Sequence, residues 1–437
     1  MIQRFIQEVR EYYQRPTKAI YLIETTLFGN EYQFVKECLD SGVVSTIGKE
    51  VERLEQAAIQ QTGAKYAVAT SSGTAALHLG LLALGVQSND WVLTTPFSFV
   101  ATANAIAHAG ASPLFLDIDR NTLGLSPDSL EQFLGEEVHI DNDGLSIHRL
   151  SQRRIAACLP VHVFGHPAHL PEIVSLCNQY NIPVLEDAAE GLGSTRDGRS
   201  VGTIGKAGVL SFNGNKIITT GGGGMLLTSD QDVYQFVCSR ASQRPEDGLV
   251  GDSAVSKSLG YGAITYSPKP DIPRNNPIAS ALNYKRSENN ETARTSQARN
   301  PKLRSLISSS ISYNYQMPAL NAALGLAQWE YLEKRIQQKR TLAHWYQLLF
   351  AQSEIKVLDE PADVYSNYWL NALLFPERGS RDQFVQEARK AGIEARPAWT
   401  LLSRYPAFYQ PYSMPLPNAQ WAESCLANVP STILAHA

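Results

Sequence analysis

SFNGNKIITTGGGG, residues 211–224, joins the end of one apolar run, AGVLSF (207–212), to the start of another, GMLLTS (224–229). A single lysine, Lys216, stands between them, ahead of four consecutive glycines. Glycine tolerates positive φ and lets the backbone pass close to a bulky planar ligand. A lysine held in such a dry, tight turn can lose its proton and act as an amine nucleophile. On this stretch alone, a surface turn carrying an ordinary lysine fits equally well. Working outward, five more apolar runs precede it: YAVAT (66–70), WVLTT (91–95), SPLFLDI (112–118), RIAACLPVHV (154–163) and IPVLEDA (182–188). TAALHLGLLALG, FVATANAIAHAG and LPEIVSLCNQYN, which lie between several of them, have helical character. Continuous apolar strands alternating with helices predict an α/β fold, its largely parallel sheet covered on both faces.

Two other segments carry chemistry. In ATSSGTAALHLGL (69–81) a strand passes through a small polar turn into a helix. Ser71, Ser72, Gly73 and Thr74 would offer hydroxyls and unpaired amides at the helix N-terminus, which favours a phosphate. A plain Ser/Thr helix cap accounts for the same residues. In IPVLEDAAEGLGS (182–194) Asp187 follows an apolar strand, at the carboxyl edge where open α/β sheets bind ligands. A carboxylate buried there needs a cationic partner; an aspartate capping the next helix is the simpler alternative. Together, a lysine amine, a phosphate cup and an isolated carboxylate are the parts that pyridoxal phosphate requires.

The rest of the sequence sets the frame. The chain has 437 residues, and its 38 Lys and Arg against 42 Asp and Glu give a net charge of −4. That balance gives no reason to expect a nucleic-acid or anionic-membrane partner. No apolar run reaches the ~20 residues of a membrane span. The N-terminal MIQRFIQEVREYYQRP mixes charges into its apolar positions, unlike a secretory signal. The five cysteines include no CxxC pair, so neither a disulfide frame nor a metal site is expected, and a cytoplasmic location is. Residues 1–60 read as an N-terminal helical segment and 61–242 as the large cofactor-binding domain. Residues 243–310, rich in Pro, Gly, Asn and Ser and without Phe, Trp, Met or Cys, read as a polar, flexible insertion. Residues 311–345 hold an interface segment and one long helix. Residues 346–437 form a smaller C-terminal α+β domain.

The stretches SSGTAALHLGLLALGV, PFSFVATANAI, LPVHVFGHPAHLPEI, EDAAEGLGS, SFNGNKIITTGGGG and YNYQMPALNAALGLAQWEYLE resemble the DegT-type nucleotide-sugar aminotransferase family. FGNEYQFVKECLDSGVVSTIGK and ARPAWTLLSRYP are similar to the branch acting on UDP-4-keto-6-deoxy-N-acetylhexosamines, which feeds bacillosamine- and legionaminic-acid-type sugars. The resemblance implies an aspartate-aminotransferase-like fold type I, with a mostly parallel seven-stranded sheet. It implies pyridoxal 5'-phosphate as cofactor, held covalently by Lys216, which then shuttles a proton. Asp187 would keep the pyridine nitrogen protonated, Glu190 would stand near the phenolic oxygen, and Phe99 would stack on the ring. Gly73, Thr74 and Ser211 would hold the phosphate, and Ser72 and Asn213 complete the cofactor-binding set. Asn314 matches an asparagine that reaches the neighbouring subunit's cofactor, so a homodimer with shared sites is implied. Gln316 stands where the family has Arg. The implied reaction moves an amine from glutamate to a nucleotide-linked 4-keto-6-deoxy sugar. Dehydratases of the family replace the lysine with His, and Lys216 speaks against that activity. A non-sugar substrate, a cofactor-binding regulator or an inactivated enzyme remain alternatives.

Overall fold

Seven of the apolar runs form one sheet, and their burial explains their composition. A computed structural model describes residues 1–242, 311–409 and 412–434; the expected insertion, 243–310, lies outside the described residues. The strands are β1 (Tyr66–Thr70), β2 (Trp91–Thr94), β3 (Ser112–Phe115), β4 (Ile155–Leu159), β5 (Leu185–Asp187), β6 (Ala207–Ser211) and β7 (Gly224–Thr228). Their order is β1-β7-β6-β5-β4-β2-β3, with β4 and β5 joined by the parallel bridges Cys158–Val184 and Val161–Asp187. β7 alone runs antiparallel to its neighbours; every other adjacent pair is parallel. Successive side chains face opposite sides of a strand. In β2, Trp91 and Leu93 join the core beneath the helices Pro127–Glu137 and Leu170–Gln179. Val92 joins the core on the other face, under Gly73–Ala83 and Ala101–His108. Helices on both faces leave no polar face for the strands, hence their continuous apolar sequence.

Several runs end earlier than the sequence predicts. RIAACLPVHV stops being a strand at Leu159, because Pro160 has no N–H to give the ladder. The chain then turns through Val163–Gly165 with Phe164 at φ 56°. IPVLEDA narrows to Leu185–Asp187. The expected long helix is two, Ala319–Trp329 and Leu332–Phe350, separated at Glu330–Tyr331. The bend sets the Tyr331 ring edge-on against Phe28, 5.6 Å between centroids.

A second sheet, all antiparallel, takes Lys356–Val357, Asn371–Leu374, Leu426–Val429 and Arg396–Pro397 in that order. The first 60 residues divide between two cores. Helix Ile2–Tyr12 packs with the second sheet, where Phe5 meets Phe384 at 4.7 Å and Phe350 at 6.1 Å. Helices Glu31–Ser41 and Lys49–Thr62 instead lie against Ala319–Trp329. Among the described residues no helix is long and apolar enough to cross a membrane.

Lys339, on Leu332–Phe350, ties the two halves together. Its buried Nζ donates to the Trp369 carbonyl at 2.8 Å and to the Ser431 carbonyl. Burial, helped by the nearby Arg335 guanidinium, pulls its ammonium down to about 7. Between that value and the ordinary lysine value the unfolded chain binds more protons, so this lysine's contribution to stability rises with pH. From about pH 7 to about pH 9, the stability of wild type relative to Lys339→Met should grow by roughly 2 kcal/mol. Denaturant titrations at each pH measure it; parallel pH profiles would contradict it.

Candidate active site

The carboxyl ends of β1, β2, β4, β5 and β6 all reach one edge of the sheet, because these strands run the same way. Ligands bind at that edge in open α/β sheets. The segments that leave it line a cavity of about 630 Å³, which brings together Ser72, Gly73, Thr74, Phe99, Asp187, Glu190, Ser211, Asn213 and Lys216. Nine of the eleven residues singled out from the sequence therefore meet in one place; Ser71, in the phosphate turn, is exposed and not among them. Asn314 does not meet them either: it is exposed, at φ 51°, and is not among the cavity residues of its own chain.

Lys216 is fixed by the loop that carries it. Buried Phe212, Ile217 and Ile218 anchor the loop, and Phe212 N–H donates to the Gly223 carbonyl at 2.9 Å. The glycine run does more than approach a ligand. Gly221 takes the positive φ, 78°. Gly224 passes so close to the phosphate turn that a Cβ there would lie 2.4 Å from the Gly73 nitrogen. Lys216 Nζ stands 3.3 Å from Glu190 Oε1 and 3.9 Å from the centre of the Trp369 ring.

Asp187 is buried, 4% exposed. Its Oδ2 accepts from the Thr102 hydroxyl at 2.7 Å, and its Oδ1 from the Ala189 amide at 3.2 Å. Thr102 is in turn 2.7 Å from the Ser98 hydroxyl. Burial raises the Asp187 carboxyl above the ordinary aspartate value; Thr102, the Ala189 amide, Lys216 and His162 act the other way. Burial likewise raises Glu190, whose Oε2 accepts from the Phe164 amide at 2.8 Å. That amide points inward because Phe164 holds its left-handed backbone, its ring 4.7 Å from Trp399 and 6.1 Å from Phe97.

At the phosphate turn, both readings of the sequence hold, for different residues. Ser72 is the helix cap, its hydroxyl accepting from Ala75 N–H at 3.0 Å. Gly73 and Thr74 begin the helix, where amides have no partner in the preceding turn. A Cβ at Gly73 would come 3.0 Å from Ser211 Cβ and 3.2 Å from its hydroxyl, so only glycine leaves this cup open. An anion cup, a lysine amine and a buried carboxylate with no ion pair among the described residues fit pyridoxal phosphate at its phosphate, aldehyde and ring nitrogen.

Residues from distant parts of the chain complete the site. Trp369 faces Lys216, and its indole N–H donates to the Asn215 carbonyl at 2.6 Å. Glu394, Arg396, Trp399 and Asn428 reach the cavity from the second sheet and its connections. Only ARPAWTLLSRYP, as a stretch resembling one branch, had drawn attention to part of this wall.

Fold and site define an aminotransferase of fold type I. Residues 27–247 and 282–434 match the DegT/DnrJ/EryC1/StrS aminotransferase family. The pyridoxal phosphate-dependent aminotransferase EpsN of Bacillus subtilis (strain 168) is 33% identical over 392 residues, 90% of this chain and 84% of that protein. GDP-perosamine synthase of Escherichia coli O157:H7 is 30% identical over 395 residues, 90% of this chain and 88% of that one. The crystal structure of the aminotransferase TlmJ from Streptoalloteichus hindustanus shares the fold, with TM-score 0.73 and 23% identity over 94% of this chain and 93% of that one. The protein belongs to the DegT/DnrJ/EryC1/StrS aminotransferase family, whose cofactor is pyridoxal phosphate.

Removing the hydroxyl that Asp187 accepts from should push its carboxyl higher still, since that bond favours the charged form. Thr102→Val is expected to raise it further, read from a ¹³C-carboxyl NMR titration of the apoprotein. An unchanged value would contradict the contact.

Proposed function

We propose that the protein transfers an amino group from glutamate to the keto carbon of a nucleotide-linked 4-keto-6-deoxy sugar, supplying amino sugars for surface glycans. The observation that carries this is similarity along nine-tenths of the chain to sugar-nucleotide relatives such as GDP-perosamine synthase. A UDP-linked 4-keto-6-deoxy-N-acetylhexosamine is the proposed substrate, supported by the FGNEYQFVKECLDSGVVSTIGK and ARPAWTLLSRYP stretches. The bound cofactor supplies an electron sink for the carbon that loses its proton.

Each residue then has a task. Lys216 would hold the cofactor through its Nζ and, when free, would serve as the base that takes and returns the proton of the amino-bearing carbon. Glu190, 3.3 Å away, steadies the Lys216 amine and would serve the cofactor's phenolic oxygen. Asp187, held by Thr102 and the Ala189 amide, keeps a proton on the ring nitrogen. Phe99 covers the ring face. The Gly73 and Thr74 amides and the Ser211 hydroxyl take the phosphate, and Ser72 and Asn213 border it. Groups already fixed in place act on the developing charge without reorganising.

We assign Asn314 to the cofactor phosphate of a partner subunit, making the protein a homodimer. Its exposure and its absence from its own chain's cavity support this. The backbone steers it outward: Tyr313 N–H donates to the Arg240 carbonyl at 2.8 Å and Tyr315 N–H to the Ala241 carbonyl at 2.9 Å.

Lys216→Ala should abolish the borohydride-trappable cofactor adduct; an adduct mapping to another lysine would overturn its role. Asp187→Asn should lower turnover by orders of magnitude while cofactor still binds, and near-wild-type rates would exclude the assignment. Mixing Lys216→Ala with Asn314→Ala subunits should restore activity above either variant alone, through the one site with both residues intact. No gain would argue against sharing. Assaying UDP- and GDP-linked 4-keto-6-deoxy sugars with glutamate tests the substrate itself.

A further inference from the structure

Among the described residues that line the cavity, only Lys216 and Arg396 have basic side chains. Lys216 lies deep, its side chain 11% exposed. Arg396 stands at the mouth, 58% exposed. It sits on the edge strand of the second sheet, in register with Asn428, which also lines the cavity. Pro397 follows it and limits the local backbone.

Arg396 is held, yet only on one side. Its Nε donates to Glu394 Oε1 at 2.8 Å, and its Nη2 donates to the same oxygen. The described residues include no partner for its Nη1. Glu394 is anchored through its other oxygen, which accepts from the Leu22 amide at 2.8 Å. Burial would raise Glu394, but the Leu22 amide and Arg396 outweigh it and hold the carboxyl below the ordinary glutamate value. The pair is therefore a fixed carboxylate and a movable guanidinium whose fork still has donors to give. A guanidinium fork matches a phosphate in two-point contact.

The proposed reaction brings two anionic substrates to this cavity. Glutamate carries a carboxylate on the reacting carbon itself, so that charge must lie deep, beside Lys216. The diphosphate of a sugar nucleotide is attached across the pyranose ring from the keto carbon. With the keto carbon at Lys216, the diphosphate faces the mouth.

We propose that Arg396 receives the diphosphate of the nucleotide sugar, leaving Glu394 to do so. This rests on the sugar-nucleotide reading above. Glu394 then acts as a placeholder: it neutralises Arg396 when the mouth is empty and competes with the incoming phosphate.

The test is binding of UDP and of GDP to the cofactor-loaded enzyme by calorimetry, alongside the two half-reactions followed by cofactor absorbance. Loss of a charged hydrogen-bond partner should weaken the bound nucleotide about tenfold or more in Arg396→Gln. Arg396→Lys should fall between that variant and wild type. Glu394→Gln keeps an acceptor for Leu22 but loses the competing charge, so it should tighten the nucleotide, an effect that loss of a merely structural ion pair would not produce. The glutamate half-reaction should be unchanged in Arg396→Gln, while KM for the keto sugar rises. Nucleotide binding equal to wild type in Arg396→Gln would overturn the proposal and leave the substrate reading standing. An effect confined to the glutamate half-reaction would also overturn it, and assign Arg396 to the donor carboxylate. A wild-type enzyme that binds neither nucleotide and turns over no keto sugar, yet reacts with glutamate, would overturn both.

Discussion

A buried carboxylate with no ion pair among the described residues is the constraint on which the site depends. Asp187 lies at the end of β5, buried, with a hydroxyl and an amide as its hydrogen-bond partners. Those two bonds favour the charged form, but burial outweighs them and the carboxyl is raised. A positive charge arriving from outside reverses the balance, because an opposite charge at contact distance favours ionisation. A protonated pyridine nitrogen is such a charge. The same low-dielectric surroundings that make Asp187 costly alone would make its pairing with such a cation strong.

The remaining geometry positions partners around that carboxylate. Parallel strands deliver their ends to one edge, so Thr70, Asp187 and Ser211 come close without sharing any local sequence. Close packing of Gly224 on the Ser72–Gly73 peptide ties the lysine loop to the phosphate cup. From the far side, Lys339 holds the Trp369 carbonyl while the Trp369 indole holds Asn215, next to Lys216. A shift of the second sheet would therefore be felt at the Lys216 amine. The same sheet carries Arg396, two residues after Glu394, so one wall of the cavity meets both Lys216 and the cavity mouth.

What could be read from the residues was whatever is encoded locally. The strand–turn–helix at 69–81 and the strand end at Asp187 combine continuous apolar runs with polar residues at their carboxyl ends. The Lys216 loop adds glycines that only a tight turn explains. Contacts between distant segments left weaker traces. Trp369 sits in NYWLNALLF, where it reads as one more apolar strand residue. Thr102 looks like any helix residue until Asp187 is placed 2.7 Å from it. The left-handed Phe164 comes just after an apolar run that Pro160 had already ended as a strand, with no turn residue at that position to mark it. Helix Ile2–Tyr12 is amphipathic on its own terms, and nothing in it names the second sheet as its partner. Asn314 could be placed only by family resemblance, since its contacts are assigned to another subunit.

The most direct test of the role given to Asp187 is the ¹⁵N chemical shift of the ring nitrogen, in enzyme reconstituted with pyridine-¹⁵N pyridoxal phosphate. A carboxylate that needs a cation should hold that nitrogen protonated across the neutral pH range, giving a pyridinium shift. A free-pyridine shift at neutral pH would show that Asp187 is itself protonated or turned away, and would contradict the account at its centre.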